Sequence, residues 1–210
     1  MAEALDVQQR GDLVAHALRL EALTIAWNVL EAFIAISAGV LAGSIALVGF
    51  GLDSVIETIA ASALYHRLSA EKRGASSEDI ERYEHRALRI VGVTFLALAA
   101  YILFEAGSTL WAREAPEPST VGMVLATLSL IVMPMLAMAK LRAGRKLESR
   151  ALIGDAKETF VCSYLSLALL FGLGANALFG AWWADPVAAL LMLPWVIKEG
   201  FEALGDDCDD

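Results

Sequence analysis

The chain has 210 residues, 58% of them hydrophobic, with 25 acidic against 16 basic side chains and a formal net charge of -9. Mean hydropathy is +0.59, well above that of an ordinary soluble domain, and the acidic balance excludes nucleic-acid binding, which needs a basic face. The two cysteines, Cys162 and Cys208, stand in unrelated contexts without a CxxC spacing, which excludes a disulfide framework.

Crossing a bilayer takes about 20 mainly apolar residues per helix, and six stretches reach that length. Residues 1–19 open with MAEALDVQQRGD, too polar and acidic for a secretory leader, and are read as a cytoplasmic segment. Span one covers Leu20 to Leu41, with Asn28 and Glu31 on one face, and Gly39 and Gly43 form a GxxxG step. Gly43 and Ser44 make the turn into span two, Ile45 to Leu64, which contains Asp53 and Glu57. The longest polar stretch, SAEKRGASSEDIERYEHR from Ser69 to Arg86, is read as a cytosolic loop running into a helix end. Span three, Ala87 to Trp111, holds Glu105, and span four, Val121 to Leu141, holds Pro134. Span five, Leu152 to Leu173, carries Glu158 and Cys162, with Lys157 read as snorkelling to the interface or neutralising an acid such as Asp155. Span six covers Trp183 to Leu204 and contains Pro194; Asp185 before Pro186 reads as the cap of that helix. Residues 205–210 form a short acidic tail around Cys208, read as a solvated cytoplasmic end.

The expected fold is therefore an all-α integral membrane protein: a six-helix transmembrane domain over residues 20–204, multi-pass in the bilayer. Basic residues fix its orientation. Arg10 and Arg19 precede span one, Arg67 to Arg89 flank the second connection, and Lys140 to Arg150 fill the fourth, whereas Arg113 stands alone on the opposite side. By the positive-inside rule both termini are cytoplasmic, as an even number of spans requires.

Ionised groups at membrane depth are costly, and a chain that keeps them ordinarily uses them for a cation or proton path. Asp53 and Glu57 lie four residues apart, as do Glu158 and Cys162. That spacing puts each pair on one helix face about a turn apart, so two such helices face to face make a four-ligand site. Two carboxylates on one face repel when both are ionised, so a proton held there is displaced by an arriving cation. Asp155 and Glu158 also read as a capping box, but apolar Ala151, Leu152 and Ile153 continue the helix upstream and place Glu158 inside it. Asp155, Glu31 and Glu105 remain open as additional contributors.

The run GSIALVGFGLDSVIET resembles the second transmembrane segment of the cation diffusion facilitator family, where an acidic or His residue and an acidic residue stand four apart. GDAKETFVCSYLS is similar to the family's fifth segment, an Asp, a His three residues on and an Asp four further; matched on Asp155, it puts Glu158 at the His position and Cys162 at the second Asp position. WADPVAALLMLP fits the start of the sixth. The resemblance implies a homodimeric antiporter that exports a divalent metal from the cytosol in exchange for protons, in a bacterial inner (plasma) membrane. The chain departs from the family in three ways. It ends soon after span six where a cytosolic domain is usual, His16, His66 and His85 all fall outside the spans, and Cys stands where oxygen is normal.

Four ligands, Asp53, Glu57, Glu158 and Cys162, suit a tetrahedral ion, and a thiolate favours Zn2+, with Mn2+, Fe2+, Co2+ or Cd2+ as alternatives. A sensing or accessory membrane protein without turnover, and a proton-coupled carrier of another small cation, are the competing readings. An enzyme is not expected, since Cys162 has no evident His base.

Overall fold

The computed structural model describes residues 7–73, 77–113 and 116–205, and every regular element among them is helical. Six helices follow in chain order: α1 (Val7–Ala42), α2 (Ile45–Arg73), α3 (Ser77–Ala112), α4 (Thr120–Leu147), α5 (Arg150–Phe179) and α6 (Ala184–Gly205). The first five are long and apolar enough to cross a membrane. In α6, 22 residues long, Asp185, Lys198, Glu199 and Glu202 put at least three charges in every 18-residue window, so its spanning character rests on its place in the bundle. The chain is an integral, multi-pass, all-α membrane protein.

The helices outrun their apolar cores. Helix α1 starts 13 residues before Leu20, and α2 reaches Arg73 while α3 begins at Ser77. The polar stretch expected as a loop from Ser69 is thus largely continuous with its flanking helices. Strong helix formers such as Ala, Glu, Lys and Arg dominate there, and no proline interrupts it. The acidic tail with Cys208 lies outside the described residues.

Two helical hairpins, α1 with α2 and α4 with α5, form a four-helix group in which α1 also touches α4 and α2 touches α5; α3 pairs with α6 and leans on α2. Backbone proximity sets the first hairpin. A Cβ on Gly39 would lie 2.8 Å from the Val48 amide nitrogen, and one on Gly51 2.9 Å from that of Ile36, so α1 and α2 meet at backbone distance. Gly43, the other half of the GxxxG step, instead supplies the turn with φ +64.

One end of the bundle is tied by polar contacts. The Ser44 hydroxyl accepts from the Leu47 amide at 3.1 Å and so caps α2. Asp185, expected to cap its own helix, reaches across instead: its Oδ1 accepts from the Ser44 hydroxyl and its Oδ2 from the Ile45 amide at 2.9 Å. Helix α6 starts one residue before Asp185, which leaves this carboxylate in the first turn and free to serve the exposed amides of α2. At the same end, the Glu117 amide donates to the Ala42 carbonyl at 2.7 Å, and Asn176 Nδ2 donates to the Pro116 carbonyl at 2.8 Å.

Polarity is inverted relative to a soluble bundle. Phe33, Leu41, Phe104, Phe179 and Trp111 point outward, the last 91% exposed, while Glu21, Asn28, Glu31, Asp53, Ser54, Ser129 and Lys140 are buried. Lipid is as apolar as leucine, so the exterior needs no polar coat, and interior polar groups must find one another.

Candidate metal centre

The centre lies near mid-bundle: Glu57 is 12 residues into the 29-residue α2, and Cys162 is 12 residues into the 30-residue α5. Helix α5 begins at Arg150 with Ser149 as its N-cap, so Asp155 and Glu158 lie inside the helix, as the apolar residues upstream of them indicated. Asp53, Glu57 and Cys162 each turn one donor atom into a common space, all within 4.8 Å of one another. Cys162, fully buried, has its Sγ 2.6 Å from Glu57 Oε1 and 3.6 Å from Asp53 Oδ2. A thiol between two carboxyl groups donates one hydrogen at a time, so the trio holds its protons in competition and has room for a cation when they leave.

Helix α1 supplies a wall that its sequence only partly announced. Asn28 Nδ2 donates to Glu57 Oε2 at 2.9 Å, and the Ser54 hydroxyl donates to Glu31 Oε2 at 3.0 Å. Asn28 Oδ1 and Glu31 Oε1 are buried with no hydrogen-bond partner among the described residues. Glu21, Thr24, Asn28 and Glu31, spaced three, four and three apart, form one continuous buried polar face. That periodicity is the signal by which the whole wall is recognised.

The remaining acids go elsewhere. Asp155 is held at 2.5 Å by Lys140 Nζ, which also pairs with Glu21 at 3.1 Å. This buried triad joins α1, α4 and α5, with Thr159 a further acceptor for Lys140 at 3.4 Å. Lys140, grouped by sequence with the basic residues of the fourth connection although it lies at the end of span four, is fully buried. It also takes the pairing considered for Lys157, which is exposed. Glu158, partly buried, stands outside the three-donor group. At about 100° per residue it lies some 60° around α5 from Asp155, at the edge of the inward face that Asp155, Thr159, Cys162 and Ser166 define. Glu105, partly buried on α3, is likewise outside the group.

Residues 22–208 match the cation efflux transmembrane domain family. The chain belongs to that family. Its second and fifth helices, those whose segments carried the resemblance, are the ones that meet at the three-donor group. Among curated proteins, the chain is 27% identical over 191 residues to Transmembrane protein 163 of Xenopus laevis, covering 90% of this chain and 66% of that protein. It is 25% identical over 185 residues to an uncharacterized transporter of Methanocaldococcus jannaschii, covering 86% and 64%. The chain thus spans a little under two thirds of each relative's own length.

Proposed function

We propose that the protein carries a divalent metal cation, zinc first among them, out of the cytoplasm in exchange for protons. One observation supports this most: two carboxylates and a thiol converge at mid-bundle in a cation efflux chain. A soluble metal ion gives up water to enter, and three donors that become anionic replace that water at membrane depth. Thiolate sulfur and a small number of ligands favour zinc over magnesium or calcium.

Exchange follows from charge balance. Loaded, the two carboxylates and the thiolate carry three negative charges against two positive. Emptied, the same cluster is uncompensated within the membrane unless protons return to it. Metal entry breaks the S–H bond, and any O–H bond the carboxyls hold, as metal–ligand bonds form. Metal departure reverses this. Asp53, Glu57 and Cys162 are the proposed ligands; Glu158, one turn from Cys162 at the edge of the same face, stands outside their group. Under the positive-inside rule the end bearing Lys72, Arg73, Arg145 and Lys146 faces the cytoplasm, so the cargo enters from there. We further propose a homodimer in a bacterial inner membrane.

The test is Zn2+ titration of the purified full chain in weakly buffered detergent with a pH indicator. One saturable site should appear, with release of about one proton or more per ion and affinity that rises with pH. Both signals should vanish when Asp53→Asn and Glu57→Gln are combined. Absence of saturable binding in the unmodified chain overturns the proposal.

A further inference from the structure

The three-donor group is one ligand short of a tetrahedral shell. Glu158 stands outside it, whereas the amide of Asn28 is in hydrogen-bond contact with it, 2.9 Å from Glu57 Oε2. Asn28 is fully buried, yet its Oδ1 meets no donor among the described residues. A buried carbonyl oxygen without a partner is uncommon, and one beside a cluster of metal-ligating atoms calls for an occupant that accepts its lone pairs. We infer that Asn28 Oδ1 is an ion ligand, so that α1 joins α2 and α5 in holding the cargo. The inference rests on the divalent-ion site proposed above.

Charge favours this choice. Asp53, Glu57 and Cys162, ionised, already exceed a divalent ion by one negative charge, and a fourth anionic ligand adds another at membrane depth. An amide oxygen completes the shell and adds none. The same side chain also suits the empty site. Without metal, the Asn28 NH2 group donates to Glu57 and keeps that carboxylate aimed at Cys162. When the ion takes the Glu57 oxygens, that acceptor is lost, and rotation about the soft terminal torsion of Asn turns Oδ1 toward the metal. One side chain is thus a donor to the empty site and an acceptor in the loaded one. Neither carboxylate nor lysine offers both at a fixed position.

Calorimetric Zn2+ binding to the full chain, compared with Asn28→Leu and Asn28→Asp, decides the point. Asn28→Leu should weaken binding by about tenfold or more, while Asn28→Asp should weaken it far less, because an aspartate oxygen still ligates metal although its charge adds to the excess. An ionised aspartate donates no hydrogen bond to Glu57. If Asn28→Asp therefore loses as much affinity as Asn28→Leu, Asn28 only orients Glu57 and the inference fails. It fails equally if all three proteins bind alike. Should Asn28→Leu not fold, Asn28→Ala replaces it in the comparison. An unmodified chain that binds no Zn2+ refutes the underlying site instead, a result distinct from any difference among the variants.

Discussion

Under the proposed function, Cys162 sets which ion the site prefers. Its sulfur sits 2.6 Å from one carboxylate oxygen and 3.6 Å from another, close enough for all three to meet one ion. Hard ions such as Mn2+ gain little from sulfur, whereas zinc gains much. Cys162→Ser should therefore weaken Zn2+ binding at least about tenfold, the lower end of what loss of even a supporting residue costs a metal site. Mn2+ binding should change little, so competition between the two ions reads the effect directly. Equal loss for both ions would show that sulfur does not set selectivity. At this scale the trio was legible, because acids and a cysteine at four-residue spacing inside apolar stretches have few structural uses. Lys140 was not. Charge counting treats every lysine near a helix end as solvated, and only the fold reveals that Glu21 and Asp155 face it.

Helix α1 shows how an element is misjudged when its polar face crosses a boundary drawn on hydropathy. The apolar stretch starts at Leu20, which leaves Glu21 at the margin and hides its register with Thr24, Asn28 and Glu31. Once α1 is seen to run from Val7, the four residues form one inward stripe that serves both the metal centre and the triad. The triad binds α1, α4 and α5 through Lys140, and removing one partner of a buried ion group leaves the others uncompensated. Lys140→Met should cost about 3 kcal/mol of stability, measured by denaturation in detergent. Combining it with Glu21→Gln and Asp155→Asn should recover most of the loss. A Lys140→Met protein as stable as the original would show that the triad holds nothing together. Asp185 makes a related point: its N-cap chemistry was readable from the adjacent proline, but the helix it caps was not, since a carboxylate in a first turn can serve any amides brought near it.

Across the whole molecule, the first five helices and their order follow from hydropathy, because a bilayer leaves few other ways to satisfy a backbone, while the charged α6 takes its place from the bundle. The pairing of α3 with α6 and the contact of α2 with α5 do not, since lipid and helix surfaces are equally apolar and only close packing and interior polar groups choose partners. The ends of the bundle differ as the positive-inside rule expects. One carries Lys72, Arg73, Arg145 and Lys146; the other is closed by the neutral and acidic contacts of Ser44, Glu117, Asn176 and Asp185. A site midway between two such ends, built from a thiol and carboxyl groups able to trade protons for a metal, suits the proposed proton-coupled export. The most direct measurement is Zn2+ flux in proteoliposomes under an imposed pH gradient, with the intact chain beside Asp53→Ala. Flux that follows the proton gradient and disappears in Asp53→Ala is the predicted result; flux indifferent to the gradient, or unchanged by loss of Asp53, would contradict the account.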